Sequence, residues 1–193
     1  MSKTLETQTE LFGTKPLSFE YYPVLLPDEN GMEEIGALNQ ILIEHGIKQS
    51  QLTKLLHISI DGVICPENDI KVTEDIARFL SSQSPLLVEF SELGYFPGRG
   101  GITLKLGVSN ATPINEFNKN FMMAIGGKTT KLNLHLTLAR YVSRELFESL
   151  QIPEISYPKS CVCESVAIYK KQQKAKGAYE VIGRVDFGKS LTD

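Results

Sequence analysis

Leu134-His135-Leu136-Thr137-Leu138-Ala139-Arg140 is an apolar run broken by two polar side chains two residues apart. Side chains alternate across a β-strand, so residues two apart share a face. Alternation sends His135 and Thr137 to one side and Leu134, Leu136 and Leu138 to the other. The arrangement recurs at His57-Ile58-Ser59-Ile60, with Leu56, Ile58 and Ile60 on the apolar face and His57, Ser59 and Asp61 opposite. A single such pair is ordinarily a satisfied structural feature of a strand. Here two of only three histidines sit in apolar strands with a hydroxyl at i+2. Polar groups in apolar surroundings are costly without partners, so the recurrence points to a shared task.

Composition limits what that task is. The 193 residues are 41% hydrophobic and 22% charged, enough for one substantial core or two small lobes sharing one. A formal net charge of −3 argues against clamping long duplexes through many phosphates. A nucleic-acid substrate is expected to be short, or gripped by a few local cations. No apolar run approaches the roughly 20 residues of a transmembrane helix. Glu6 and Glu10 interrupt a polar opening without a signal-peptide core. A cytoplasmic monomer with no membrane partner is the expectation. Three cysteines, Cys65, Cys161 and Cys163, lack CxxC spacing, which argues against a disulfide framework or a zinc site and for buried thiols.

Residues 1–17 read as a flexible arm and 18–188 as one folded domain. Ser18 to Leu26 is rich in aromatic and β-favouring residues, a first strand with Pro23 marking an edge or a bend. Asp28-Glu29-Asn30-Gly31 opens a helix that ends at His45-Gly46, which assigns His45 to the helix dipole rather than to chemistry. Leu52 to Ile60 is the first histidine strand. Glu67 to Ser82 is a second helix with Ile70, Ile76, Ala77 and Leu80 inward, followed by a strand over Leu86 to Phe90. Tyr95 to Gly101 is a turn whose glycines and Arg99 could receive an anion, although the spacing fits no P-loop and a plain hairpin is the alternative. Asn110 caps a third helix, and Ser143 caps a fourth. Two C-terminal strands, Cys161 to Lys170 and Tyr179 to Phe187, flank a lysine-rich turn comprising Lys170, Lys171, Lys174 and Lys176. Connections too short for parallel crossovers predict an α+β fold of antiparallel sheets, with a faint two-fold repeat centred on the histidine strands.

Two imidazoles brought together supply a base and an acid. One neutral ring takes a proton from water or a hydroxyl while its protonated partner gives one to a leaving oxygen. Ser59 and Thr137 would hydrogen-bond non-bridging phosphate oxygens as charge builds up. No metal-ligand cluster or cofactor fingerprint appears around either motif, so a metal-independent reaction without cofactor is expected.

His57-Ile58-Ser59 and His135-Leu136-Thr137-Leu138-Ala139-Arg140 resemble the paired signatures of the two-histidine phosphoesterases, the superfamily of bacterial 2′-5′ RNA ligases and cyclic phosphodiesterases. The resemblance spans roughly Phe19 to Phe187. It implies a bilobal α+β fold, two pseudo-symmetric lobes of antiparallel sheet with flanking helices around a central cleft. It also implies metal-independent attack on 2′,3′-cyclic phosphates or 2′-5′ linked nucleotides and RNA ends. Leu134 stands where many relatives have proline, and Ser59 replaces the commoner threonine while keeping the hydroxyl. Arg140 takes its phosphate-binding role from the resemblance alone, because strict alternation puts it on the leucine face. Tyr169, Tyr95 or Phe96 would stack a base, and each could equally be a core or loop-anchoring residue. The same site would serve an RNA ligase or a cyclic-oligonucleotide hydrolase. A nucleotide-binding module without turnover is the alternative from another class, with the lysine-rich turn as its phosphate rim.

Overall fold

The computed structural model describes residues 17–189. Most of the expected N-terminal arm, residues 1–16, therefore lies outside the described residues. Helices start where short polar side chains meet free N–H groups. Asp28 accepts from the Gly31 N–H at 2.9 Å to open α1 (Glu29–Glu44). Asn68 does the same for the Lys71 N–H at 3.2 Å and opens α2 (Asp69–Leu80). The third helix, α3 (Ala111–Ala124), begins after Asn110, but that side chain does not cap it. Instead Asn110 accepts from the Glu89 N–H at 2.9 Å and donates to the Leu87 carbonyl at 2.8 Å, fastening the helix start to a neighbouring strand. Ser143 accepts from the Leu146 N–H and opens α4 (Arg144–Ser149). At the far end of α1, Gly46 adopts a φ of +95° and the His45 ring donates from Nδ1 to the Ile41 carbonyl at 2.9 Å. His45 is spent on a helix end, as its position predicted.

Eight strands follow in chain order: β1 (Ser18–Pro27), β2 (Ile58–Ser59), β3 (Val63–Pro66), β4 (Leu86–Gly98), β5 (Gly101–Val108), β6 (His135–Val142), β7 (Ser160–Gln172) and β8 (Glu180–Asp186). They form one sheet, ordered β3-β1-β2-β6-β5-β4-β7-β8, in which β1 also pairs with β7. Every pairing is antiparallel, so the α+β expectation holds. The links β1–β2–β6–β5–β4–β7–β1 close a ring, leaving β3 and β8 at its margins. On one face of the sheet, Leu25, Ile58, Leu104, Leu106, Leu136 and Val166 share one core with Ile35, Leu38 and Leu42 of α1 and Ile114, Phe121 and Met122 of α3.

Several local expectations change. Pro23 is not on an edge, because β7 runs along one side of β1 while β3 and β2 divide the other. Pro23 falls in the interval between the β3 register, ending at Tyr21, and the β2 register, starting at Val24. A residue without an N–H is tolerated there, where no ladder partner is registered on that side. The first histidine strand shrinks from 52–60 to Ile58–Ser59, since Leu52 only bridges to Ala139 and the Thr53 N–H donates to the Leu138 carbonyl. On α2, Ile70 is 75% exposed and Val72 takes its place in the buried stripe with Ile76 and Leu80. Residues 95–98 extend β4, and the turn is only Arg99-Gly100. Lys170 leaves the lysine-rich turn altogether: it is buried in β7, where its Nζ meets Glu67 and, at 2.8 Å, Asp69.

Candidate active site

The two motif strands are hydrogen-bonded neighbours. β2 pairs with β6 through Ile58↔Leu136. In an antiparallel pair that register sets His57 across from Thr137 and Ser59 across from His135. Ile58 and Leu136 point into the core and are fully buried, so all four polar residues emerge on the opposite face. His57 and His135 are then diagonal neighbours, a relation that spans about 7–8 Å in a regular ladder. A local two-fold axis through the Ile58–Leu136 pair exchanges one histidine–hydroxyl motif for the other.

Both rings are held in the same way. His57 Nδ1 lies 2.8 Å from the Leu55 carbonyl and His135 Nδ1 lies 2.6 Å from the Asn133 carbonyl. A carbonyl only accepts, so each Nδ1 carries the proton and each Nε2 is left free for exchange. Burial lowers both imidazoles below 6.5. The carbonyl hydrogen bonds oppose that shift, while positive charge adds to it: Arg140 and His135 act on His57, and Lys105 and Arg140 act on His135. Both rings therefore sense the Arg140 guanidinium.

Strict alternation had sent Arg140 to the leucine face, and the structure overturns this. Against β5, β6 carries an additional residue between Thr137↔Lys105 and Ala139↔Leu104, and another between Ala139 and Val142↔Ile102. Such bulges break the two-residue period and re-aim the side chains that follow. Leu138 and Ala139 are both buried in succession, and Arg140 emerges on the histidine side. There it lines an open groove of about 780 Å³ with His57, Ser59, Tyr141, Tyr169, Tyr22 and Tyr179 among others. Tyr169 sits 6.4 Å from the His57 ring, centroid to centroid, and packs edge-on against Tyr179, which in turn meets Tyr22 at 5.9 Å.

A family model described as the 2′-5′ RNA ligase superfamily matches residues 27–175. The chain belongs to the 2′-5′ RNA ligase superfamily. No match was found among curated proteins. Among solved structures, Escherichia coli LigT complexed with phosphate is 13% identical with a TM-score of 0.55, covering 88% of this chain and 98% of its own. LigT complexed with 3′-AMP is 12% identical with a TM-score of 0.52, covering 89% and 98%. A structure described as a phosphoesterase is 13% identical with a TM-score of 0.51, covering 90% and 99%. At these identities the likeness is one of fold.

In this superfamily member the site is asymmetric despite its two-fold core. His57, Ser59, Arg140 and Tyr169 share the tyrosine-lined groove, whereas His135 and Thr137 continue the same face beside it. Around His135 the neighbours are Phe96, edge-on at 4.9 Å, and Lys105, whose Nζ lies 4.3 Å from the Phe96 centroid. Tyr95 instead packs on Phe147 of α4, and Arg99 occupies the β4–β5 turn rather than the groove. Lys105 was missed, yet β5 announces it: Ile102, Leu104 and Leu106 are buried, so Thr103, Lys105 and Gly107 must share the other face. Tyr22 was legible in the same way, because Tyr21 is buried. Tyr141 and Tyr179 were not, for they depend on a bulge and on a turn. Asp61, assigned to the histidine face, turns away, accepting from Asn118 Nδ2 at 2.8 Å and from Thr130 N–H and Oγ1 at 2.7 and 2.6 Å.

Proposed function

We propose that this chain is a phosphodiesterase that opens nucleoside 2′,3′-cyclic phosphates or cleaves 2′-5′ linkages at nucleotide or RNA ends, using His57 and His135 as general base and acid. The observation that carries the reading is the pair of Nδ1–H···O=C hydrogen bonds. They present two free Nε2 atoms on one face, beside Ser59 and Thr137. One neutral Nε2 removes the proton of the attacking water as its oxygen bonds to phosphorus. The other ring, protonated, delivers its Nε2 proton to the departing ribose oxygen as the P–O bond breaks. Ser59 and Thr137 donate to the non-bridging oxygens, and Arg140 and Lys105 offset their charge. A bound phosphate anion offsets the burial and like-charge effects that lower both rings in the free protein, so substrate itself promotes protonation of one of them.

Membership of the 2′-5′ RNA ligase superfamily supports the substrate class, as does the capture of phosphate and 3′-AMP by LigT. It also favours a second outcome for the same site: a 5′-hydroxyl attacking a 2′,3′-cyclic phosphate in place of water forms a 2′-5′ linkage as the P–O3′ bond breaks, one histidine taking the hydroxyl proton and the other protonating the departing 3′-oxygen. The test is turnover of a nucleoside 2′,3′-cyclic phosphate and of a 2′-5′ dinucleotide in EDTA, by wild type, His57→Ala and His135→Ala. Each substitution is expected to cost about 10²–10⁴-fold in kcat. Undiminished turnover in both variants would remove the histidines from the reaction.

A further inference from the structure

Tyr141 is held in a conformation that a tyrosine rarely adopts. Its φ is +60°, in the left-handed region where a Cβ is crowded by the backbone. Its ring gains little from this, being 71% exposed and outside the core. Three neighbours nonetheless fix it. Gln51 Nε2 donates to the Tyr141 carbonyl at 2.7 Å. A Cβ on Gly101 would stand 3.0 Å from Tyr141 Cα and 2.8 Å from the Val142 carbonyl, so glycine lets β5 close on this stretch of β6. A Cβ on Gly100 would come within 3.3 Å of the Tyr141 ring, so the β4–β5 turn is bare where the ring passes. Strain held by the surroundings while most of the ring stays exposed marks a residue kept for what it touches. Tyr141 lines the groove with His57 and Arg140, and among the described residues it makes no ring contact with Tyr22, Tyr169 or Tyr179.

We propose that Tyr141 is a substrate-positioning residue that stacks on the nucleobase in this groove, forming a wall separate from the Tyr22–Tyr179–Tyr169 cluster. The inference rests on the reading of the groove as a nucleotide site, and adds that recognition reaches beyond the phosphate to an unpaired base. Aromatic rings hold single-stranded bases by their π-faces without selecting a sequence. The positive φ and the flanking bulge direct Arg140 and Tyr141 to the same groove, so one backbone distortion serves both the phosphate and the base.

The test is calorimetric titration of wild type, Tyr141→Phe, Tyr141→Ala and Tyr141→Gly with 3′-AMP and, separately, with inorganic phosphate, alongside the Tm of each protein. Loss of one stacking ring is expected to weaken 3′-AMP binding about tenfold in the alanine and glycine variants. Phenylalanine should bind like wild type, and phosphate affinity should be the same in all four. Glycine accepts φ +60° without strain, so Tyr141→Gly should melt no lower than wild type. Wild-type 3′-AMP affinity in the alanine or glycine variant overturns the proposal. So does wild-type protein that binds 3′-AMP no better than phosphate, or failure of both variants to fold. Binding is read without turnover: Tyr141-dependent nucleotide binding in a protein that hydrolyses nothing sustains this inference and counts against the phosphodiesterase reading.

Discussion

At His57 and His135 the Nδ1 proton rests on the main chain, on the carbonyls of Leu55 and Asn133, and the two rings differ only in their surroundings. Those surroundings predict the pH behaviour. Burial lowers both imidazoles, helped by Arg140 at both rings and by Lys105 at His135, so base and acid both titrate below 6.5 in the free protein. The kcat/KM profile should therefore peak on the acid side of pH 6.5, while kcat, reporting the substrate-bound state, should peak higher because the bound phosphate favours the protonated ring. Arg140→Ala removes a positive charge from beside both rings. It should raise both apparent values toward 6.5 and move the kcat/KM profile to higher pH while lowering its maximum. A profile that drops in height without moving would show that Arg140 does not act on the histidines. Serine at position 59 costs nothing in this account, because the hydroxyl is what the phosphate needs.

Among the elements, helices were legible and irregular strands were not. Asp28 and Ser143 announce their helices because a cap is a local event, settled by one side chain and the three residues after it. The β6 bulges leave no such mark. Alternation assumes one residue per step on both strands, and Leu138 and Ala139 are apolar enough to be buried in succession. Arg140 was therefore misplaced by periodicity and reached its proposed role only through the family likeness. β2 was overextended for a related reason: its apolar pattern continues through Leu52 and Leu56, but its registered pairing with β1 and β6 is confined to Ile58 and Ser59. Two residues beyond β2, Asp61 ties the chain to Asn118 of α3 and to Thr130. Burial would raise its pKa, but hydrogen bonds from Thr130 and Asn118 outweigh burial and hold the carboxyl below 3.8. Its stabilisation is thus complete above the unfolded value and lost as pH falls through the folded one. Asp61→Ala strands the Thr130 N–H and Asn118 Nδ2, and should cost about 3 kcal/mol in urea unfolding at neutral pH. The variant should also flatten the acid limb of stability against pH; a loss under about 1 kcal/mol would show that water replaces the carboxylate.

Across the whole molecule, the ring of strands is uneven. β1 and β7 pair from Phe19↔Gln172 to Pro27↔Cys163, and β4, β5 and β7 are joined by long registers. β2 and β6 share one registered pair, supported by the Leu52↔Ala139 bridge. Short ladders open at lower free energy than long ones embedded in a core. The narrowest link of the ring is also the one that keeps His57 and Ser59 beside His135 and Thr137. Chemistry and closure therefore share a fuse. In rising urea, phosphodiester turnover should fail at a lower concentration than the far-UV signal, and a phosphate spanning both histidines should bring the two transitions together by holding the link shut. Coincident transitions without phosphate would mean that the link opens only when everything does. Inactivation would then report the global stability of the fold, and a ligand at the site would protect strands as distant as β8 as firmly as those it touches.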